Sequence, residues 1–279
     1  MSPGDRSQAQ TERTLSTGTL ELRAQIQTGN NAVFVADVVP EGGGDTPAEP
    51  SLRCVYKPIT GERPLWDFPG RRLAPREVAA YLVDRAAGWD HVPPTVLREG
   101  PLGPGSCQLW IPHLEEPQSL FDVFAVDDVP AGWKVVATGL AADEEEEPQR
   151  EVAVAHPDDK RLARIAVLDA VLNNSDRKAG HLLPEGDRLR AIDHGVSFHS
   201  DPKLRTVLWG WAGDPLPDEL IAALRRIDTA LAGELTEELG QYLDDEEIAA
   251  VRGRIEVLLR LRAFPLPASG WPALPYPLF

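Results

Sequence analysis

The chain has 279 residues, and its 28 lysines and arginines face 44 aspartates and glutamates, which gives a formal net charge of −16 at pH 7. Hydrophobic residues make up 42% and charged residues 26%, proportions typical of a globular protein rather than a disordered or fibrous one. An acidic surface repels nucleic acid and anionic bilayers, so we expect no nucleic-acid partner. A small phosphorylated ligand is still compatible, because it needs only a local basic or metal-lined pocket.

The number of cysteines and the lack of long apolar segments predict the cellular compartment of the protein. Two cysteines, Cys54 and Cys107, cannot form a disulfide framework, and their spacing matches no zinc motif. Residues 1–14 lack the apolar run of a signal peptide. No stretch approaches the roughly 18 apolar residues of a membrane helix. We therefore predict a cytoplasmic protein without integral membrane association.

The amino-terminal part of the chain predicts a small lobe of strands around one helix. Gly and Asn tolerate positive φ, so Thr28-Gly29-Asn30-Asn31 predicts a tight turn between two strands. Pro75 suits the start of a helix and Gly88 its end. The predicted elements are strands over residues 19–22, 33–39 and 52–57, a helix over 76–88, and strands over 92–97 and 107–111.

The rest of the chain predicts a larger, mostly helical lobe. Strand-like runs over 134–138 and 151–155 flank the acidic tract 143–147, a pattern that predicts a hairpin with a solvated tip. Amphipathic helices are predicted over 218–231 and 245–261. The predicted division is a disordered amino terminus (1–18), a small lobe (19–112), a large lobe (113–264, with the acidic hairpin at 134–155) and a Pro-rich tail (265–279).

Three acids are candidates for chemistry. Asp169 lies within a helix predicted over 161–173, whose apolar side chains cover almost its whole circumference, so its carboxylate needs a partner. Asp176 lies in the polar loop after this helix, and Asp193 ends a predicted strand. Either of the latter two alone is more often structural, as a turn cap or an Asx turn. Together they suit phosphoryl transfer, in which one acid orients a hydroxyl and another holds Mg²⁺ against phosphates.

The motifs around these acids resemble those of the phosphatidylinositol 3-/4-kinase-related family, which has a catalytic loop Asp-Arg-x-x-x-Asn and a metal loop Ile-Asp-x-Gly. Type II phosphatidylinositol 4-kinases and HipA-type serine/threonine kinases share this pattern, as does an actinobacterial branch of the family. The resemblance covers about residues 20 to 200. It implies an α+β fold of the two-lobed, atypical protein-kinase-like type, with a small mixed β/α lobe and a larger, mainly helical lobe.

The resemblance also implies roles in the large lobe. Asp176 would be the catalytic aspartate, supported by Arg177 and, from the buried helix, by Asp169. Asp193 would hold the metal, Mg²⁺ or Mn²⁺, that bridges the ATP phosphates. The family's second metal ligand is an Asn five residues after the catalytic aspartate, and here that position is His181. An imidazole suits softer ions, so His181 would bind a metal with altered preference, hydrogen-bond phosphate, or mark a lost second site.

In the small lobe the resemblance implies the ATP-binding residues. Lys57 would contact the phosphates and Glu77 would be its partner. The other implied positions are Gly29, Asn30 and Asn31 in the loop over the phosphates, and Leu109, Trp110 and Ile111 in the interlobe strand whose backbone would meet adenine. Lys178 is a second departure from the family, because many relatives have His there; a lysine would contact the γ-phosphate as a point charge.

A segment after the metal loop is a candidate acceptor site. Lys203 and Arg205 would bind an acidic acceptor, although unpaired surface bases are an equally good explanation. Trp209 and Trp211 lie where kinases keep a substrate-facing segment, and packing is the more common role for such residues.

The sequence thus predicts an ATP- and metal-dependent kinase that phosphorylates a hydroxyl acceptor. A protein hydroxyl or a small metabolite is favoured over a membrane lipid, because no basic amphipathic helix is evident. Two alternatives stay open. One is a pseudokinase that acts through a protein partner, and the other is an enzyme that transfers AMP instead of phosphate.

Overall fold

A computed structural model of the chain describes residues 7–26, 31–40, 50–68, 72–112, 120–141 and 149–278. Its small lobe contains a five-stranded antiparallel sheet in the order β1-β2-β3-β5-β4. The strands are β1 (Thr19–Ile26), β2 (Val33–Val39), β3 (Leu52–Pro58), β4 (Thr95–Gly100) and β5 (Gly103–Leu109). In β3, Leu52, Cys54 and Tyr56 are buried in the core of this lobe. Because successive side chains alternate between faces, Lys57 points to the opposite side.

The predicted disorder of residues 1–18 is wrong for most of that segment. Helix α1 (Gln8–Thr17) begins at Ser7, whose hydroxyl accepts the N–H of Gln10. Leu15 is fully buried in the core of the small lobe. One apolar anchor and a cap stabilise a helix that is too polar to show a periodic pattern. Residues 1–6 lie outside the described residues.

Helix α2 (Leu73–Ala86) crosses the interior of the protein and has few exposed side chains. The Glu62 carboxylate accepts the N–H groups of Leu73 and Ala74 at 3.2 and 2.8 Å. These two donors at the start of the helix, which have no partner within the helix, are thereby satisfied. The helix begins three residues before its predicted start, because Pro75 is tolerated anywhere in a first turn. This burial fixes the direction in which Glu77 leaves the helix.

The large lobe begins with a second antiparallel sheet of order β6-β8-β7. Its strands are β6 (Asp122–Ala125), β7 (Trp133–Ala141) and β8 (Arg150–Pro157). The predicted hairpin is confirmed by the pairing of β7 with β8, whereas β6 was not predicted. The acidic tract 143–147 at its tip lies outside the described residues.

Helices form the rest of the large lobe around one apolar core. The elements are α3 (Lys160–Leu172), β9 (Leu182–Glu185), β10 (Arg188–Ala191), α4 (Asp218–Leu231), α5 (Glu234–Leu239) and α6 (Asp245–Leu261). The β9–β10 hairpin separates two loops that carry the candidate site, the Asp176 loop (173–181) and the Asp193 loop (193–198). In the part of the chain that the structure describes, no helix has the length and apolar character needed to cross a bilayer.

Candidate active site

Three residues from different elements meet at the junction of the two lobes. The Lys57 ammonium, from β3, lies 2.5 Å from Glu77 Oε1 of α2 and 3.0 Å from Asp193 Oδ1. Asp193 lies two residues after the end of β10 and has φ +63°, a left-handed conformation that is rare for a residue with a side chain. Strain of this kind is kept where surrounding contacts impose it, and such positions cluster at functional sites.

Glu77 joins the small lobe to the Asp193 loop. Its Oε1 accepts from Lys57, and its Oε2 accepts the backbone N–H of His194 at 3.0 Å. The side chain is 3% exposed, so both bonds are shielded from water. One carboxylate therefore fixes the lysine and the loop that carries Asp193 in the same arrangement.

Charges at this junction shift the pKa values of the groups that form it. The neighbouring Lys57 ammonium holds the pKa of Asp193 well below its usual range. Burial disfavours the charged form of Lys57, but Asp193 and Glu77 outweigh burial and raise the pKa of this lysine. Asp193 and Lys57 are therefore both charged across the physiological range.

A fully buried ion pair lies beneath the Asp176 loop. Asp169 of α3 accepts from Arg177 Nε and Nη2 at 3.0 to 3.1 Å, which supplies the partner predicted for this carboxylate. Arg177 Nη1 donates to the carbonyl oxygen of Ile192 (2.6 Å), and Nη2 donates to Nε2 of His194 (2.7 Å). Arg177 thus connects α3 and the Asp176 loop to both residues that flank Asp193.

Asp176 is partly buried beside cations. Its carboxylate lies 3.2 Å from the Lys178 ammonium, and its backbone N–H donates to Asn174 Oδ1 at 3.0 Å. Burial raises the pKa of Asp176 above its ordinary value, and Lys178 opposes that shift. A raised pKa makes a carboxylate a better proton acceptor.

His181 faces Asp193, with Nε2 at 3.4 Å from Oδ2. Its Nδ1 accepts the backbone N–H of Lys178 at a long 3.4 Å. Burial lowers the pKa of His181 to about 4, so the ring is neutral at physiological pH. A neutral imidazole coordinates a metal through its unprotonated nitrogen, so His181 is a possible ligand beside Asp193.

The ATP-binding positions implied for the small lobe are brought together only in part. Gly29 and Asn30 lie outside the described residues, while Asn31 Oδ1 accepts the N–H of Arg63 at 2.8 Å. In the interlobe strand, the N–H groups of Leu109 and Trp110 already donate to Pro94 and Arg53 within the sheet. Strand β5 ends at Leu109, two residues before the predicted end, so an adenine contact through a backbone N–H is left to Ile111 beyond the strand.

The carboxy-terminal tail docks beside these loops. The N–H of Ala179 donates to the carbonyl oxygen of Leu278 (2.9 Å), and the N–H of Thr206 donates to that of Ala273 (3.1 Å). Trp209 Nε1 also donates to Ala273 (2.8 Å) and is buried, so packing is its role here. Trp211 is buried too and donates to Asp158. The Pro-rich composition of the tail did not predict that the tail packs against these loops.

The sequence also did not predict that four side chains form a cluster next to the Asp176 loop. Trp66 and Trp271 come from segments far apart in the chain, and Lys203 and Arg205 from the segment after the Asp193 loop. Only the two basic residues carried a signal in the sequence, as possible contacts of an acidic acceptor.

The chain is similar in sequence to a known protein and in structure to solved proteins. No family model matches it. Protein Rv2133c of Mycobacterium tuberculosis is 40% identical over 277 residues, which cover 95% of this chain and 94% of that protein. A structure of hydra Fam20 with sugar has a TM-score of 0.50 at 14% identity, over 91% of this chain and 87% of that one. A structure of the Golgi casein kinase with Mn/ADP bound has a TM-score of 0.47 at 15% identity, over 91% and 75%.

The similarity to hydra Fam20 confirms the predicted fold class. The antiparallel small lobe and the helical lobe form the kinase-like α+β fold of hydra Fam20. At 14% identity this likeness concerns the fold alone, so the chemistry has to be argued from the site itself.

Proposed function

The chain belongs to the same family as protein Rv2133c of Mycobacterium tuberculosis, and from its site we propose that it is an ATP-dependent phosphotransferase, an atypical kinase of the phosphatidylinositol 3-/4-kinase-like type. The observation that carries this proposal is the contact of Lys57 with both Glu77 and Asp193. A lysine held between a buried helix carboxylate and a half-exposed one at a lobe junction is the arrangement that kinases use for ATP phosphates. The proposed acceptor is a hydroxyl of a protein or small metabolite, and the proposed compartment is the cytoplasm.

The donor set fits a hard divalent ion held jointly with a nucleotide. Asp193 is 51% exposed, and no group of three His, Cys, Asp or Glu side chains that could hold a metal occurs among the described residues. Magnesium is usually bound by one or two carboxylates together with substrate phosphates, so a single exposed carboxylate is sufficient. Asp193 would hold Mg²⁺ or Mn²⁺, with His181 as the second candidate. The ion would neutralise the charge that develops on the phosphates.

The transfer step assigns a task to each remaining residue. The acceptor oxygen would attack the γ-phosphorus in line, and the bond from that phosphorus to the β–γ bridging oxygen would break, so that ADP leaves with the electron pair. Asp176 would accept the acceptor's proton. Lys57 would neutralise phosphate oxygens, while Lys178 would hold Asp176 in place or contact the γ-phosphate.

The presence of His181 at the position of the family's second metal ligand favours a second candidate, a nucleotide-binding pseudokinase that acts through a protein partner. An imidazole suits Mg²⁺ less well than an amide oxygen does, so the second metal site of the family would be weakened or lost here. Nucleotide binding without turnover would favour this alternative. Transfer of AMP would be recognised by label from the α-phosphate of ATP, and transfer of phosphate by label from the γ-phosphate.

The decisive experiment compares wild type with Asp193→Asn and Asp176→Asn. ATP with Mg²⁺ or Mn²⁺, at about 100 times its dissociation constant, should stabilise wild type by roughly 2.7 kcal/mol, a readable shift in thermal unfolding. Asp193→Asn should lose the metal-dependent shift, because the variant lacks the carboxylate charge. Asp176→Asn should keep the shift and lose transfer of γ-phosphate label. Full activity of both variants would contradict the site assignment.

A further inference from the structure

A cluster of two aromatic and two cationic side chains lies next to the Asp176 loop, which Arg205 contacts. The Lys203 ammonium lies 4.5 Å from the ring centre of Trp66 and 4.6 Å from that of Trp271. The Arg205 guanidinium lies 5.3 Å from the Trp271 ring. The four side chains come from three separate segments, so the cluster exists only in the folded protein.

Lys203 is not free to bind a ligand. Its ammonium forms an ion pair with Asp67 Oδ2 at 3.2 Å, and its side chain is only 8% exposed. The rings of Trp66 and Trp271 both lie against this charge and contact each other, with their centres 6.4 Å apart. Lys203 therefore serves to hold the two rings in place. Of the two basic residues Lys203 and Arg205, only Arg205 is available to bind a ligand.

Arg205 is that cation, and it lies beside the proposed proton acceptor. Its Nε donates to the carbonyl oxygen of Ser175, the residue before Asp176, at 2.6 Å. Its charge lowers the pKa of Asp176, against the effect of burial. No carboxylate among the described residues forms an ion pair with it, and its two terminal nitrogens make no hydrogen bond there. Stacking on Trp271 holds the plane of these nitrogens in one orientation.

We propose that Arg205 binds an oxyanion of the acceptor, a carboxylate or phosphate close to the hydroxyl that receives the γ-phosphate. A guanidinium whose two terminal nitrogens are free matches either anion with two parallel hydrogen bonds. Trp66, which contacts Trp271, is 83% exposed and offers a ring face for the rest of the acceptor. This inference rests on the proposed kinase function, since it assigns the acceptor class of the same site.

The test uses matched acceptors that differ only in the anion. The probes are the carboxy-terminally amidated peptides Glu-Glu-Ser-Glu-Glu and Gln-Gln-Ser-Gln-Gln, each labelled with a dye that has no net charge, and glycerol 3-phosphate against glycerol. Their binding is measured by anisotropy or calorimetry for wild type, Arg205→Gln and, as control, Arg225→Gln on an exposed part of α4. Wild type and the control should bind at least one anionic probe tenfold or more tightly than its neutral counterpart. Arg205→Gln should lose that preference.

The two arms distinguish the source of the anion, an acidic peptide or a small phosphate ester. Equal binding of anionic and neutral probes by wild type overturns the inference, as does binding of neither anionic probe. A preference that survives in Arg205→Gln also overturns it. Loss of the ATP-dependent thermal shift in Arg205→Gln would make Arg205 a positioning residue for the Asp176 loop and would likewise overturn it.

Failure of this inference is separable from failure of the proposed function. The metal-dependent ATP shift and its loss in Asp193→Asn require no acceptor. An ATP shift without anion preference refutes the acceptor assignment alone. If the anion preference depends on Arg205 but ATP gives no thermal shift, the kinase proposal is refuted. Arg205 would then belong to an anion-binding site of another function.

Discussion

The ion pair of Asp169 with Arg177 lies in the most buried part of the candidate site. Both side chains are 0% exposed, and Arg177 also binds Ile192 and His194 on either side of Asp193. Thr206 and Asn174 donate further hydrogen bonds to Asp169. Loss of one member of such a pair leaves an uncompensated buried charge, which is more costly than removing both charges together.

Asp169→Asn should therefore lower the free energy of unfolding by about 3–5 kcal/mol, because Arg177 keeps its charge without a counterion. Urea denaturation measures this change. The double variant Asp169→Leu, Arg177→Met should lose less than the single variant. Glu21→Gln, which breaks an exposed pair with Arg23, is the control and should change stability by less than about 1 kcal/mol. A loss in Asp169→Asn no larger than in the control would contradict the interpretation.

Residue-scale predictions from the sequence succeeded where burial follows from periodicity. The apolar circumference of α3 required a partner for Asp169, whereas Arg177 as support of the loop was implied only by the family motif. The sequence could not predict that Lys203 is held in an ion pair while Arg205 is not. These states depend on Asp67, which lies 136 residues from Lys203, and on Trp271 in the tail. Contacts over such separations leave no local pattern in the chain.

At the scale of elements, the tail acts as a brace for the loops around Asp176. It accepts the N–H groups of Ala179 and Thr206, and Trp271 Nε1 donates to the carbonyl oxygen of Lys203 at 3.0 Å. These bonds link the tail to the Asp176 loop and to the segment that carries Arg205. The tail therefore contributes a wall of the proposed acceptor site.

Deletion of residues 266–279 should speed hydrogen exchange at the amides of Ala179 and Thr206 by tenfold or more, since both lose their acceptors. The Ser175 amide is the internal control, because its acceptor, the Val196 carbonyl oxygen, remains. Native-state exchange measured by NMR reads all three sites in one experiment. Unchanged exchange at Ala179 and Thr206 would show that the tail does not hold these loops.

Elements with a strong amphipathic pattern were predicted at their observed bounds. Helices α4 and α6 span residues 218–231 and 245–261, as expected from the sequence. Helix α1 and strand β6 were missed, because one buried leucine or four strand residues give too little periodicity. In both cases the stability comes from packing against partners that the sequence does not identify.

At the scale of the whole molecule, a buried carboxylate links α2 to the hairpin that ends at Asp193. Asp84, in the last turns of α2, accepts the N–H groups of His91 and Val92 at 2.9 and 3.0 Å. His91 Nδ1 donates to the carbonyl oxygen of Leu189, and the His91 carbonyl oxygen accepts the N–H of Ala191 at 2.8 Å. The end of α2 is thereby fixed to β10.

Asp84 also predicts a pH dependence of stability. Burial raises the pKa of Asp84 to about 7, compared with about 3.9 in an unfolded chain. Between these values the folded state holds a proton that the unfolded state has released, so Asp84 stabilises the fold less as the pH rises from 4 to 7. Burial lowers the pKa of His91 to about 4, which produces the opposite slope, and that slope is common to wild type and to Asp84→Asn.

Relative to wild type, Asp84→Asn should therefore become more stable by about 1.4 kcal/mol for each pH unit between 4 and 7, and the difference should stay constant above pH 7. The asparagine carbonyl can still accept from His91 and Val92, so the link to β10 is kept. Urea denaturation of both proteins at pH 4.5, 6.0 and 7.5 gives the difference directly, because slopes from groups common to both proteins cancel. A difference independent of pH would mean that Asp84 is ionised in the folded protein throughout this range, and that the junction of α2 with β10 contains a stabilised charge instead of a neutral acid.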